Sequence, residues 1–329
     1  MLNNDTIVAI ATPHGMGAIA TVRVSGPKSL SIVADLLQCR GKHLESSEIV
    51  SNKAYHGHLI INGETLDEVV VTFFRAPHSF TGEDVIEIYS HGSPAVIEKI
   101  FEYLRKRGTR IASRGEFSKR AFYNNKMDLT DVDGLIALLN AQTDKQRISA
   151  LRSLTGGDSK TYTARRNKMI EISAYAAAIL DYDADELPKN ICENIKIETQ
   201  KLLTELKSAV DGFRGTRALR NGFNIALIGE TNVGKSSIFN KLVGSNRAIV
   251  SDIAGTTRDV VSMQIDLDGY LVNLSDTAGI RDSSDIIEQI GIERTHNEIK
   301  NSDLVIHVYT DVPNTINENE ITVVNKCDL

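Results

Sequence analysis

The sequence predicts an α+β N-terminal domain, an α-helical middle domain and an incomplete α/β P-loop domain. Strand-like apolar alternation and a hairpin signal dominate up to about residue 120. From about 127 to 220 the apolar residues follow helical spacing with almost no strand signal, and from 222 onward strand and helix patterns alternate. We expect domains at 1–120, 121–220 and 221–329, the middle one supplying only the first half of its fold.

In the first segment, Asn62-Gly63 separates two apolar-alternating runs, 54–61 and 66–74. Asn-Gly supplies the positive φ values of a type I′ turn, so these runs are predicted to form a β-hairpin. The other elements predicted here are strands at 6–11, 18–24 and 85–89 and helices at 29–37 and 94–107.

In the middle segment, apolar residues recur on one helical face in four successive stretches, with a break at Gly156-Gly157. Such stripes are more typical of a core than of a cofactor site, and we interpret them as core. Their residues are Leu135, Leu138, Leu139, Leu151, Leu154, Ile170, Ala174, Ala178, Tyr182, Leu202, Leu206, Val210 and Phe213. Between 144 and 168, seven Lys/Arg stand against two Asp/Glu. This excess fits a solvated helix face, the simpler interpretation, or a contact with a phosphate backbone.

Composition is that of an ordinary globular protein, with 41% hydrophobic and 24% charged residues among 329. The net charge of −6 excludes a general attraction to nucleic acid, so an RNA contact requires a local basic patch. Cys39, Cys192 and Cys327 are far apart without C-x-x-C spacing, which indicates reduced, non-catalytic thiols. No signal peptide or membrane-length apolar run is apparent, so we expect a cytoplasmic protein.

The third segment contains Gly229-Glu-Thr-Asn-Val-Gly-Lys-Ser236, which fits the P-loop pattern G-x-x-x-x-G-K-[ST]. A phosphate cradle needs glycines for close backbone approach, a Lys for the phosphate oxygens and a hydroxyl for Mg²⁺. A strand at 223–228 precedes this loop and a helix at 237–243 follows it. Further strands are predicted at 261–267, 270–275, 304–309 and 321–324, with a helix from about 286 to 300, giving a doubly wound layout.

Two more motifs end strands of this segment: Asp276-Thr-Ala-Gly279 and Asn325-Lys-Cys-Asp328. An Asp in the first can hold the Mg²⁺ shell while the Gly N–H approaches a γ-phosphate. The carboxylate of Asp328 can accept two N–H bonds from a guanine edge, which adenine does not offer. The three motifs in this order predict a GTPase.

Two details separate this GTPase from a Ras-like switch. Ile280 stands where Ras-type proteins place the Gln that orients water, so another polar group must act there. Asn232 and the segment 251–259 supply hard oxygen ligands that suit either a charge-neutralising monovalent cation or an ordinary polar switch loop.

Several longer motifs are more specific than the P-loop. They are Phe80-Thr-Gly-Glu-Asp84, His91-Gly92, Gly115-Glu-Phe-Ser-Lys-Arg-Ala-Phe122, Asn125-Lys-Met-Asp-Leu129, Gly255-Thr-Thr-Arg-Asp259, Asp276-Thr-Ala-Gly-Ile-Arg281 and Ile290-Gly-Ile-Glu-Arg294. Through these motifs the chain resembles the MnmE family of tRNA modification GTPases over its whole length. The resemblance implies a homodimeric, K⁺-dependent GTPase that adds the carboxymethylaminomethyl group to the tRNA wobble uridine. It implies MnmG, which carries FAD, as partner and tetrahydrofolate as one-carbon source, with no DNA or membrane partner.

Carried over residue by residue, the resemblance implies Mg²⁺ ligands at Ser236 and Thr257 and phosphate contacts at Lys235 and Ser237. The implied K⁺ ligands are Asn232, Ser251, Ile253 through its carbonyl, and Thr256. Glu288 would position the attacking water as the catalytic residue, although its position alone fits a helix-start carboxylate. The full GTP-binding set is Asn232, Val233, Gly234, Lys235, Ser236, Ser237, Ser251, Thr256, Thr257, Asp276, Thr277, Ala278, Gly279, Asn325, Lys326 and Asp328.

The first domain resembles the tetrahydrofolate-binding, dimerising module of this family, with Arg23, Glu83 and Lys126 at the folate-contacting positions. A carboxylate can pair with the amino-pyrimidine edge of a pterin, and cations suit the glutamate tail or the one-carbon substituent. For any one of these residues alone, a surface salt bridge is the simpler interpretation.

The chain stops directly after the guanine motif, whereas the family continues through the rest of the GTPase domain and a returning helical half. We therefore expect uncovered apolar surface. One alternative hypothesis is a catalytically incomplete folate-binding, dimerising module, and another is a ribosome-assembly GTPase, which the folate-type domain disfavours. A nucleotide titration separates the first alternative from an active GTPase, because that alternative predicts folate binding without GTP binding.

Overall fold

The computed structural model describes residues 5–183, 185–249, 261–276, 299–313, 317 and 320–327. The chain forms two compact units, Met1–Val132 and Asp133–Leu329. The division into three domains at 120 and 220 stays a prediction.

The first unit is built on one eight-stranded sheet with the order β4-β3-β5-β6-β7-β2-β1-β8. Neighbouring strands run antiparallel except for the parallel pair β1 and β8. The strands are β1 (Thr6–Ile10), β2 (Gly17–Ser25), β3 (Leu37–Cys39), β4 (Lys42–His43), β5 (Ala54–Ile61), β6 (Glu64–Phe74), β7 (Val85–Gly92) and β8 (Thr109–Ile111).

Two helices, α1 (Ser29–Leu36) and α2 (Pro94–Lys106), pack against this sheet and complete its core. A third helix, α3 (Glu116–Tyr123), follows β8. Alternate strand residues such as Val22 and Phe73 are fully buried together with Ile100 and Leu104 of α2. Every second strand residue is buried, and the buried helix residues are three or four positions apart. One apolar face of the sheet therefore packs against one apolar face of the helix.

The predicted hairpin is confirmed: Asn62 and Gly63 have φ of 53° and 84°, between β5 and β6. The predicted helices and strands of this unit are also present, with ends that differ by three residues at most. The sequence analysis missed β3, β4, β8 and α3. The three strands contain only two or three residues each, too few for a period to be visible.

Helices follow in the next part of the chain. They are α4 (Leu129–Leu139), α5 (Asp144–Leu154), α6 (Gly157–Asp181), α7 (Ile191–Asp211) and α8 (Phe213–Asn221). The predicted break at Gly156-Gly157 is confirmed, since Gly156 has φ 79° at the start of α6. A left-handed residue ends one helical path and lets the next begin in a new direction.

The prediction that the apolar stripes form a core is wrong for most of their residues. Leu202 is buried, but Ile170 is 50% and Val210 71% exposed, and α6 has no buried residue. Helices α6 and α7 contact each other, and a pair of helices buries only the residues along its seam. Among the described residues, no element covers the remaining apolar positions of these two helices.

The second sheet has six strands in the order β10-β11-β12-β9-β13-β14. These are β9 (Phe223–Gly229), β10 (Arg247–Ile249), β11 (Val261–Leu267), β12 (Tyr270–Asp276), β13 (Leu304–Tyr309) and β14 (Glu320–Val324), with α9 (Lys235–Ser245) after β9. The four strands β12, β9, β13 and β14 are parallel. Their carboxyl ends therefore meet at one edge, where a doubly wound sheet binds its ligand.

All five strands predicted in this segment are present, and β10 was missed. Leu227 of β9, Phe239 of α9 and Leu274 of β12 form a buried cluster that fixes α9 against the sheet. The helix predicted at 286–300 lies almost wholly outside the described residues. No helix in the described part of the chain has both the length and the apolar character needed to cross a membrane.

Candidate functional site

The P-loop runs from Gly229, the last residue of β9, to Lys235 and Ser236, the first residues of α9. Its backbone has positive φ at Gly229 (143°), Asn232 (65°) and Gly234 (98°). A Cβ added at Gly229 would stand 2.3 Å from the Val308 carbonyl oxygen of the neighbouring strand, so only glycine fits there. This tight turn lies at the N-terminus of an eleven-residue helix, where backbone N–H groups can bind a phosphate group.

Lys235 is the buried cation of this loop, with 6% of its surface exposed. Its Nζ donates hydrogen bonds to the carbonyl oxygens of Gly229 (2.8 Å) and Glu230 (2.6 Å). These bonds hold a positive charge inside the turn, next to the positive end of the α9 dipole. Both charges favour an anion at the same place.

Asn325, predicted only as part of the guanine motif, also supports the P-loop. Its Nδ2 donates to the carbonyl oxygen of Val233 (2.8 Å), and its backbone N–H donates to Tyr309 (2.8 Å). A Cβ on Gly234 would lie 2.1 Å from that Nδ2, so this glycine permits the contact. The second residue of the motif, Lys326, has φ 59°. Sequence motifs do not reveal such a bond, because it joins residues 92 positions apart.

Several of the residues predicted to meet the phosphates and Mg²⁺ lie at the same sheet edge. Ser236 and Ser237 are exposed in the first turn of α9, and Asn232 is exposed within the loop. Asp276 ends β12, which pairs with β9 in the register Asp276 to Leu227. Hydroxyl and carboxylate oxygens are the donors that Mg²⁺ prefers, so the residues present fit that ion.

Other predicted residues lie outside the described residues, and their roles stay predictions. They are Ser251, Ile253, Thr256, Thr257, Thr277, Ala278, Gly279, Ile280, Glu288 and Asp328.

A second group of predicted residues surrounds the loop between β6 and β7 in the first unit. Arg23 on β2 forms an ion pair with Glu87 on β7, in which Nε (2.8 Å) and Nη2 (2.7 Å) both contact Oε1. Its guanidinium carbon lies 5.4 Å from the ring centre of Phe80 and 5.7 Å from that of Phe117. The charge is thus held between two aromatic rings, which add a cation–π attraction.

Tyr89 completes the ion pair by donating from its hydroxyl to Glu87 Oε2 (2.5 Å). Burial and this hydrogen bond to a carboxylate raise the pKa of Tyr89 to about 12. The hydroxyl therefore remains a donor at neutral pH, and it fixes the carboxylate that orients Arg23.

Glu83 follows Gly82 in this loop, and Lys126, from the segment after α3, packs against Gly82. The Glu83 carboxylate accepts a hydrogen bond from Ser25 Oγ (2.7 Å) and is 21% exposed. A Cβ on Gly82 would lie 3.1 Å from Cγ of Lys126, so the lysine stem crosses directly over the loop. The structure brings Arg23, Glu83 and Lys126 around one loop, and their folate role stays a prediction.

Arg120 on α3 is a residue that the sequence analysis did not single out, although it lies within one of the quoted motifs. It is 3% exposed, and its Nη1 donates to both oxygens of Glu83 at 3.2 and 3.1 Å. Its Nη2 reaches Asp5 (2.6 Å) and Glu116 (3.2 Å). A hydrogen bond from Arg110 is the largest cause that lowers the pKa of Glu116, to about 2. Arg120 is therefore a buried cation shared by three carboxylates.

The parallel strands of this sheet carry a glycine loop and a buried Lys at the carboxyl end of the central strand. Asn-Lys follows the end of another parallel strand. Together these features define a P-loop GTPase. Residues 224–327 match the family described as 50S ribosome-binding GTPase, and residues 6–126 match the GTP-binding protein TrmE N-terminus. The tRNA modification GTPase MnmE of Thermotoga petrophila is 42% identical over 99% of this chain and 73% of its own length. The MnmE of Streptococcus mutans is 39% identical over 99% of this chain and 73% of its own length. The chain belongs to the MnmE family of tRNA modification GTPases.

Among solved structures, the G domain of the Thermotoga maritima FeoB iron transporter is 32% identical over 27% of this chain and 57% of its own chain, with a TM-score of 0.20.

Proposed function

We propose that this chain is a potassium-dependent GTPase whose hydrolysis cycle serves wobble-uridine modification of tRNA, together with an FAD-carrying MnmG partner. The observation that carries this proposal is the presence in one chain of a P-loop and of a separate polar cluster, formed by Arg23, Glu83 and Lys126 around the β6–β7 loop. A simple GTPase switch needs only the first of these. The second suits a one-carbon donor of the tetrahydrofolate class.

In the GTPase site, Lys235 and Ser237 contact phosphates while Ser236, Thr257 and Asp276 hold the Mg²⁺ shell. When bound, Mg²⁺ neutralises the charge on the β- and γ-phosphates. The Asn325 amide keeps the Val233 carbonyl in place, and Lys326 and Asp328 contact the base. Glu288 positions the water, the task that Ile280 cannot perform.

A potassium ion suits the remaining oxygen groups near the phosphates: the Asn232 amide, the Ser251 and Thr256 hydroxyls, and the Ile253 carbonyl. Asn232 supports this assignment because its side chain is exposed within the P-loop, beside the turn that suits a phosphate group. A monovalent cation there supplies positive charge to the transition state, as an arginine finger does in other GTPases.

At equal ionic strength, we expect GTP hydrolysis to be at least about 10-fold faster in K⁺ than in Na⁺. This factor is a modest part of the rate acceleration that a cation at the transition state contributes. Asn232→Ala should remove this difference, while Asn240→Ala, which changes an exposed amide on α9, should preserve it. Steady-state phosphate release measures the rates. Equal rates of the parent protein in the two salts would overturn the cation assignment.

The first unit binds tetrahydrofolate in this proposal. Glu83 accepts from the amino-pyrimidine edge, and Arg23 and Lys126 bind the acidic tail or the one-carbon substituent. Arg23 supports this role because Glu87 and Tyr89 hold its guanidinium in place, so little ordering is needed on binding.

Glu83→Gln should weaken tetrahydrofolate binding by about 10-fold or more, because it replaces a charged acceptor with a neutral one of the same shape. Isothermal titration calorimetry on the full chain measures this change. Glu98→Gln, on the exposed face of α2, is the matched control and should bind like the parent. Unchanged affinity in the Glu83 variant would remove Glu83 from the folate site.

The proposal also includes homodimerisation, a cytoplasmic location and tRNA as the substrate that MnmG shares. It includes no membrane or DNA partner. The three-domain division at 120 and 220 belongs to this proposal as well.

A further inference from the structure

A groove of about 510 Å³ runs between α6 and α7, apart from both sites described above. Its charged lining residues are Lys160, Arg165, Lys168, Lys201, Glu198 and Glu205. The groove thus has an excess of two positive charges, in a chain whose net charge is −6. A local basic patch is what an acidic protein needs in order to meet a polyanion.

The cations of this groove differ in how they are paired. Lys168 and Lys201 both contact Glu198, at 2.6 and 2.9 Å. Within the described ranges, Lys160 and Arg165 have no carboxylate in ion-pair contact. The Nε of Arg165 is buried and has no hydrogen-bond partner among the described residues. This leaves the positive charge of Arg165, a partly exposed residue, without a carboxylate from the described part of the chain to neutralise it, and an anionic oxygen that enters the groove would supply the missing negative charge.

Two other cations of the same basic stretch are already engaged. Lys145 lies 3.6 Å from the ring centre of Tyr270, and Arg147 pairs with Asp144 at 2.8 Å. Lys160 and Arg165, by contrast, both line the groove and have no ion-pair partner among the described residues. Two such charges in one groove favour a specific binding surface over a uniformly solvated helix face.

We propose that the α6–α7 groove binds the phosphodiester backbone of RNA. Lys160 and Lys168 are two helical turns apart, about 12 Å along α6. This distance spans more than one phosphate of a strand. The proposal rests on the proposed function, in which tRNA is the substrate, and it adds the place where the RNA is held.

The two carboxylates favour RNA over other polyanions. Glu205 is exposed in the groove and can accept a hydrogen bond from a ribose 2′-hydroxyl, a donor that DNA lacks. Toward a flat anionic membrane the same carboxylates would only repel. Contacts to phosphate and sugar position an RNA without reading its sequence, as expected for a surface that holds several tRNAs.

The test measures binding of a fluorescently labelled, unmodified tRNA transcript to the full chain at several salt concentrations. Lys160→Gln combined with Arg165→Gln should weaken binding about 10-fold and reduce the slope of log K against log salt by about 1.5 to 2. Lys160→Gln alone, at an exposed position that cannot disturb packing, should reduce the slope by about 1. GTP hydrolysis without RNA should remain at the parent rate in both variants.

The matched control is Lys196→Gln with Lys207→Gln, which removes two exposed cations of α7 outside the groove and should preserve the parent affinity. Equal weakening by this control would overturn the groove assignment, as would parental binding by the groove variants. Equal affinity for a DNA duplex or for phosphatidylserine vesicles would overturn the assignment to RNA. A parent chain that hydrolyses GTP but does not bind tRNA would overturn both the groove and the proposed tRNA substrate.

Discussion

Lys235→Ala should lower the rate of GTP hydrolysis by at least about 100-fold, the usual effect of removing one charged group that stabilises a transition state. Two causes act together. The ammonium that would contact the β- and γ-phosphates is lost. The carbonyls of Gly229 and Glu230 also lose the donor that now holds them 2.8 and 2.6 Å away, so the turn itself loosens.

Single-turnover hydrolysis and GTP titration measure the two parts of this effect. Lys241→Ala changes an exposed lysine of the same helix and should hydrolyse GTP at the parent rate. If the Lys235 variant retained more than about a tenth of the parent rate, Lys235 would not be a principal phosphate ligand.

Arg120→Met should destabilise the first unit by about 3 to 5 kcal/mol, the range found when one partner of a buried ion pair is removed. Methionine preserves most of the side-chain volume, so the loss reports charge rather than a cavity. Asp5, Glu83 and Glu116 would then face one another without the cation that they share. Three carboxylates close together repel, and the partly buried ones cannot be fully solvated.

Urea unfolding followed by circular dichroism measures this loss. Because the chain has two compact units, the transition of the first unit must be fitted separately. Arg105→Met, at an exposed position of α2, should change stability by less than about 0.5 kcal/mol. Adding Glu83→Gln to the Arg120 variant should recover part of the loss, because it removes one of the repelling charges. A loss below about 1 kcal/mol in Arg120→Met would show that water already screens the network.

Local patterns predicted most of the regular structure. The Asn62-Gly63 turn, the strands of both sheets and the helix after the P-loop depend on backbone preference and on apolar periods visible within ten residues. The elements missed were strands of two or three residues, together with α3. The prediction of buried stripes on α6 and α7 failed for a different reason. Helical spacing shows which residues share a face but not whether another layer lies against that face.

The candidate sites divide in the same way. The sequence alone determined that this is a P-loop GTPase. Gly229, Gly234 and Lys235 are required by the turn and by phosphate, and the motif that begins at Asn325 is required by guanine, wherever the rest of the chain lies. Only the tertiary structure decided the long-range contacts at the sites: the Asn325 amide on the P-loop carbonyl and Arg120 behind Glu83. It also placed Arg165 in the α6–α7 groove, where its Nε has no hydrogen-bond partner among the described residues. The physical reason is range, since a motif constrains neighbours along the chain, whereas hydrogen bonds and ion pairs join residues that folding brings together from distant positions.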